Sequence, residues 1–249
     1  VNMTDWDDFW DAMEDDEERV TLFDVVYGRK SEKVVLQQLT MVAQVPSDAA
    51  DRTELGARYE NLITQLTKQH RLGCGITGLL LIYPTCLLHI IEASEYLLDC
   101  FLNELRAMQE QPDCKLLEAK VAFMWHSLEG RQFQQWSYKV LTADQINQNP
   151  LFTTLEKVEE SVETVVCRVL TQLQELVMHL KTSKELPGAI LDNKPELLNP
   201  PAVLEQLLDR DELLSPQQYL QMYHSPLNIC IDFGKRSFIL SLKITFTSI

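Results

Sequence analysis

Residues 76–92, ITGLLLIYPTCLLHIIE, contain two apolar runs separated by Pro84 and Thr85. Apolar runs of this length, rich in branched side chains and bounded by turn-forming residues, are typical of strands. A connection of about two residues between such runs is the length that a tight hairpin uses. The stretch therefore predicts a β-hairpin.

Further strand and helix patterns flank the hairpin on both sides. The order strand, helix, strand, strand, helix, strand predicts a ferredoxin-like α+β sheet with both helices on one face, because the crossover connections are right-handed. We assign this unit to residues 34–142. Its flanking elements are predicted as a strand at 34–45, a helix at 48–73, a helix at 94–110 and strands at 115–124 and 136–141.

The first 33 residues form an acidic amphipathic segment, with nine acids in the first eighteen positions. Trp6, Phe9, Trp10 and Met13 have the spacing of one helical face. Three hypotheses follow: this face docks into a partner protein, it covers the body of its own chain, or the segment is a solvated tail. Aromatic residues among so many acids favour docking.

Charge and composition exclude several classes of function. Lys and Arg number 22 against 37 Asp and Glu, and the net charge of −15 without a basic patch argues against nucleic-acid binding. No run of about 18 apolar residues is present, so a membrane span is not predicted. The six cysteines include no CxxC pair, which favours reduced thiols. We therefore expect a cytoplasmic protein.

Residues 143–249 are predicted to form a helical extension and a tail. A helix over about residues 150–186 carries a heptad-like seam, which we expect to pack on the open face of the sheet or against another chain. The open sheet face favours packing within the chain. Val166 is placed beside the seam. The seam itself consists of Leu155, Val158, Val162, Val165, Val169, Leu173, Val177 and Leu180.

The remaining C-terminal residues show two weaker patterns. Six prolines between residues 187 and 226 predict short helices or a segment that wraps the surface. Residues 237–249 have a strand-like pattern, with no neighbouring segment to pair with.

No motif for catalysis or nucleotide binding is present. The eight glycines fit neither the P-loop nor the dinucleotide-binding pattern, and the five histidines show no HExxH spacing. The sequence therefore predicts a non-enzymatic protein with no cofactor and no metal site.

His89 is a polar residue within an apolar strand, on the face that Leu87 and Ile91 share. A buried imidazole needs a hydrogen-bond partner or a ligand. We interpret His89 as a core histidine satisfied by a backbone carbonyl or a hydroxyl, with ligand binding as the other hypothesis. Thr77 and Glu92 are interpreted as structural residues, with Glu92 at the beginning of the turn into the second helix.

The segment from Val34 to Leu141 resembles the BLUF domain, a flavin-binding blue-light sensor with a ferredoxin-like fold. The resemblance rests on the run from Ile76 to Leu81, the strand that reaches Glu92 and the pattern Arg131-x-Phe133-x-x-Trp136. The whole layout is similar to the testis-expressed protein 47 family, whose central region is BLUF-like. This resemblance implies a component of the sperm flagellum axoneme with protein partners. The charge and the absence of an apolar run have already argued against partners of nucleic acid or membrane.

The residues that hold flavin in BLUF domains are not matched here. The resemblance implies a tyrosine, a glutamine and an asparagine around the ring, and their positions are occupied by Met41, His89 and Arg71. Ala93 and Tyr138 likewise replace a glycine and a methionine of the family pattern. Because Met41 donates no hydrogen bond and position 89 lacks the amide, we expect no flavin and no light sensing. The alternative hypothesis is a sensor module that binds flavin or another planar molecule beside these three residues.

Overall fold

A computed structural model of the chain describes residues 35–45, 48–69, 75–111, 118–147, 160–183 and 187–223. The described strands are β1 (Leu36–Gln44), β2 (Thr77–Ile82), β3 (Cys86–Ser94), β4 (Ala119–Leu128) and β5 (Trp136–Val140). They form one mixed sheet in the order β4-β1-β3-β2-β5. Strand β3 is antiparallel to β1 and β2, β4 is antiparallel to β1, and β5 is parallel to β2.

Seven helices accompany the sheet in the described part of the chain. The two long helices of the first half are α1 (Ala49–Gln69) and α2 (Glu95–Gln109), and Ser94 caps α2 by accepting a hydrogen bond from the Leu97 amide at 3.4 Å. The remaining helices are α3 (Ala143–Asn147), α4 (Val162–Ser183), α5 (Pro187–Asn193), α6 (Pro201–Leu208) and α7 (Pro216–Tyr223), with a 3₁₀ turn at Pro195–Leu197.

The order of β1 to β4 confirms the predicted ferredoxin-like α+β fold, to which β5 adds one edge strand. Side chains alternate along β3, so that Leu87 and Ile91 belong to the core beneath α1 and α2, whereas Leu88 and Ile90 belong to a second core beneath α4. The sheet therefore has helices on both faces, as its continuous apolar strands require.

The predicted seam of α4 is buried in the core on the second sheet face, which confirms packing within the chain. Val162, Val165 and Val169 are all buried there. The placement of Val166 beside the seam is wrong, since Val166 is only 2% exposed. Helix α4 packs beside α6, which contacts β1, β3 and β4, and the buried residues of α4 share one core with the second sheet face. The covered stripe of α4 is therefore broader than a two-helix seam. The first two residues of the predicted seam, Leu155 and Val158, lie outside the described residues.

Polar contacts tie the C-terminal helices to the sheet. Lys139 of β5 forms an ion pair with Asp192 of α5 at 2.5 Å. The Val121 amide of β4 donates a hydrogen bond to the Leu214 carbonyl at 2.8 Å, which pairs part of an edge strand. Short helices between residues 187 and 223 confirm one of the two predictions for this proline-rich region. The domain limits 1–33, 34–142 and 143–249 stay predictions.

Gly78 of β2 occupies a position where a side chain does not fit. Its φ is +149°, and a Cβ atom would lie 2.0 Å from the Ile90 carbonyl oxygen of β3. Because backbone strain and this clash add, we expect Gly78→Ala to lower the free energy of unfolding by about 3 kcal/mol. Urea unfolding measures the loss, and Gly130→Ala is the control because its Cβ would meet no atom within 4 Å. Equal stability of the two variants would contradict the assignment.

Candidate functional site

The cleft between α1 and α2, above β1 and β3, is the place that the sequence predicts for a ligand. Met41 of β1 and His89 of β3 are direct partners in the antiparallel register, and both are completely buried. Arg71, the third predicted residue of this site, lies outside the described residues. The structure therefore brings together two of the three predicted positions.

The imidazole of His89 is held by an indole. Its Nε2 accepts a hydrogen bond from Nε1 of Trp136 at 3.0 Å, which places the imidazole proton on Nδ1. No described residue offers a hydrogen-bond partner to that buried Nδ1 atom. His89 is thus a core histidine as predicted, but its partner is a side-chain N–H and not a carbonyl or a hydroxyl.

Aromatic side chains surround His89 on the helix side of the sheet. Its ring centroid lies 5.1 Å from that of Tyr59 of α1 and 5.4 Å from that of Phe101 of α2, and Trp136 lies 5.9 Å away, all in edge-to-face geometry. Tyr59 and Phe101 are completely buried. Side chains of the protein itself therefore fill the space between the two helices at this level.

Tyr138 fills the neighbouring part of the same face. Its ring lies against the backbone of α1, so closely that a Cβ on Gly56 would be 2.4 Å from the tyrosine Cε2 atom. Its centroid is 6.0 Å from that of Trp136. The residue that departs from the BLUF pattern at position 138 thus packs α1 onto β5.

Glu92 is the centre of a buried hydrogen-bond network on the second sheet face, opposite His89. Its carboxyl oxygens accept from Gln38 Nε2 at 3.1 Å, from Thr77 Oγ1 at 2.9 Å and from the amides of Gln132 and Phe133 at 3.0–3.2 Å. Glu92 is completely buried within β3, so its interpretation as the first residue of a turn is wrong. The network joins three strands to the loop after β4.

Arg131 extends this network. Its guanidinium donates to Thr77 Oγ1 at 2.7 Å, to the Glu92 carbonyl at 3.0 Å and to the Gly75 carbonyl. Each fixed position of the pattern Arg131-x-Phe133-x-x-Trp136 therefore has a structural role. Arg131 donates to the network, Phe133 is buried, and Trp136 bonds His89. The residues that carry the BLUF resemblance thus hold the loop and β5 against the sheet.

Sequence reasoning did not single out Gln38 or Gln132. The signal that points to them is a glutamate in an apolar strand, because a buried carboxyl group requires several donors. Their positions relative to Glu92 depend on strand pairing and a loop 40 residues away.

The model of the family described as Testis-expressed protein 47 matches residues 35–225. The match spans more than half of the 249 residues and includes the sheet with helices α1 to α7. The chain belongs to the testis-expressed protein 47 family. The layout of the sequence predicts membership of this family, and the match confirms it.

Solved structures similar to this member of the testis-expressed protein 47 family include BlrB and two forms of BlrP1. BlrB, a BLUF protein in its dark state, is 19% identical, covering 54% of this chain and 97% of its own, with a TM-score of 0.35. The BLUF domain of BlrP1 is 20% identical, covering 55% and 87%, with a TM-score of 0.34. Klebsiella pneumoniae BlrP1 with FMN and cyclic diGMP is 23% identical, covering 43% and 25%, with a TM-score of 0.32. The fold assignment of the present chain rests on its own strand order.

The described residues of this family member contain no group of three or more His, Cys, Asp or Glu side chains arranged to hold a metal ion. No described helix combines the length and the apolar character that crossing a membrane requires. Cys86, Cys100 and Cys167 are free thiols.

His89 gives the family member a specific response to acid. Burial lowers the pKa of His89 to about 3, whereas the unfolded chain titrates near 6.5. Between these values the unfolded state binds more protons, so stability falls as the pH drops below about 6.5. Over about 1.5 pH units below that value, His89 alone is expected to cost about 2 kcal/mol.

The measurement is urea unfolding of the wild type and of His89→Gln near neutral pH and near pH 5. Glutamine retains an acceptor for the Trp136 indole but does not titrate. Between these two pH values, the free energy of unfolding of the variant should therefore fall by about 2 kcal/mol less than that of the wild type. An identical pH dependence of both proteins would show that His89 does not stay neutral in the fold.

Proposed function

We propose that this protein is a non-enzymatic interaction protein of the sperm flagellum axoneme, built on a BLUF-like domain that has no room for flavin. The observation that carries the proposal is the filled cleft around His89, where Tyr59 and Phe101 are completely buried between the helices. A flavin is a flat system of three fused rings, and close-packed interiors do not open for such a group without displacing side chains.

The polar groups of the cleft also argue against flavin. Met41 has no hydrogen to donate, and the His89 Nε2 acceptor is occupied by the Trp136 indole. A flavin entering here would have to replace this hydrogen bond and the surrounding ring contacts.

Buried titratable groups in this fold are poorly suited to catalysis. Burial holds the pKa of His89 at about 3, far below the value near neutrality that a general base needs. Burial raises the pKa of the Cys86 thiol to about 12, which keeps it from forming the reactive thiolate. The lowered pKa of His89 and the raised pKa of Cys86 both support a structural role for these side chains.

The cellular part of the proposal rests on the family and on the N-terminal segment. The family is described as testis-expressed. Trp6, Phe9, Trp10 and Met13, the predicted docking face, lie outside the described residues. We propose that these four side chains anchor the partner contact and that the neighbouring acids steer the encounter.

Co-sedimentation of the purified full chain with demembranated sperm axonemes tests this function. We expect the wild type to sediment with the axonemes, and the Trp6→Ala, Trp10→Ala double variant to remain in the supernatant. A matched variant with Asp7, Asp8 and Asp11 changed to Asn should still bind, with weaker salt dependence. The flagellar assignment fails if the wild type does not sediment, and the anchor assignment fails if only the acid variant loses binding.

A further inference from the structure

A cavity of about 160 Å³ lies across the sheet from His89, between the second sheet face and α4. It belongs to a different core from the filled cleft, because Ile90 lines it whereas His89 points to the other face. Aromatic and aliphatic side chains make up most of its wall, among them Ile90, Phe123, Trp125, Phe133, Leu173 and Val177.

We propose that this cavity is a binding site for one neutral phenol-type ring. Its volume is close to the roughly 150 Å³ of an apolar protein cavity that accepts benzene, and it is too small for three fused rings. Phe123 and Trp125 are already arranged edge to face, with centroids 6.4 Å apart, which offers a third ring the same geometry. Size and wall chemistry thus select a single aromatic ring.

Polar side chains line the cavity on both sides: Gln38 and Gln132 on the sheet side, and the exposed Thr171 and Gln174 on α4. The two amides on the sheet side provide the contact proposed here. Gln38 donates through Nε2 to both Glu92 and Gln132. Its Oε1 atom therefore remains as the acceptor for a ligand. Gln132 accepts the bond from Gln38 through Oε1, and its Nε2 donor bonds no described residue. Because both side chains line the cavity, a hydroxyl group that donates to Gln38 and accepts from Gln132 would satisfy both.

Charge decides between a phenol and an aromatic acid. None of the described residues that line the cavity carries a charge, and the Glu92 carboxyl lies directly behind Gln38. A carboxylate placed there would lose its hydration without gaining a cation. A phenol, whose pKa is near 10, enters as a neutral molecule.

Titration of the full chain with p-cresol, followed by calorimetry and by the melting temperature, tests the site. We expect saturable binding of one p-cresol per chain and a rise in melting temperature, since the ligand binds only the folded state. Benzoate should bind at least about tenfold more weakly, because it is charged. Absence of saturable p-cresol binding, or equal binding of benzoate, would overturn the proposal.

Two variants locate the binding. Gln132→Met retains the side-chain length but removes the amide, and we expect it to weaken p-cresol binding about tenfold while leaving toluene binding unchanged. Gln135→Met, on the same loop but outside the cavity, is the control and should bind as the wild type does. Leu173→Trp should fill the cavity and abolish binding of both compounds. Unchanged p-cresol binding by Gln132→Met, or by a folded Leu173→Trp, would exclude this cavity as the site.

Discussion

Glu92→Ala is expected to lower the free energy of unfolding by about 3–5 kcal/mol. The substitution removes the acceptor of five hydrogen bonds, so that donors on Gln38, Thr77 and the 132–133 loop lose a buried partner. Domains of this kind are stable by only about 5–15 kcal/mol. The variant should therefore be partly unfolded at body temperature.

Urea unfolding followed by circular dichroism measures this loss. Glu129→Ala is the matched control, because Glu129 is exposed in the turn after β4 and should change stability by less than about 0.5 kcal/mol. Glu92→Gln retains the side-chain shape but places an NH₂ donor against the donors of the network. Its free energy of unfolding should therefore lie between those of the wild type and Glu92→Ala. A stability of Glu92→Ala within about 1 kcal/mol of the wild type would refute the role of the network.

Leu176→Asp is expected to prevent folding of the isolated protein. Leu176 on α4 is 0% exposed and belongs to the core that α4 shares with the second sheet face. The change loses about 2–5 kcal/mol of buried aliphatic packing and adds a charge with no partner in an apolar core. The same reasoning applies to Val162→Asp at the first turn of α4.

Met178→Asp on the same helix is the control, because Met178 is 57% exposed. Circular dichroism and size-exclusion chromatography should show a folded, monodisperse Met178→Asp protein and an unfolded or aggregated Leu176→Asp protein. A folded, monomeric Leu176→Asp variant of normal stability would mean that α4 does not pack on its own sheet.

Local sequence patterns were sufficient to predict the strand order and the two helices of the ferredoxin-like unit. The hairpin at residues 76–92 and the two amphipathic helices fix the ferredoxin-like strand order, because right-handed crossovers leave few other topologies. The burial of α4 also followed from its periodic aliphatic residues. The burial of Val166 did not follow from this periodicity, because it depends on α6 packing beside α4.

The polar networks depend on contacts between distant residues, and this is why the sequence did not predict them. His89 and Trp136 are 47 positions apart, and Glu92 and Phe133 are 41 apart. The alternation of β3 correctly placed His89 with Leu87 and Ile91, but alternation cannot name the partner across the fold. The same residue pattern that resembles a flavin domain serves here to satisfy buried polar groups.

The central claim is that the cleft between α1 and α2, where the resemblance to BLUF domains predicts a flavin site, is closed by the protein's own side chains. Its most direct test is a calorimetric titration of the purified full chain with FMN, together with the visible absorbance spectrum of the protein as purified. We expect a colourless protein and no saturable heat of binding. A yellow protein, or stoichiometric FMN binding that Phe101→Ala or His89→Ala abolishes, would contradict the claim.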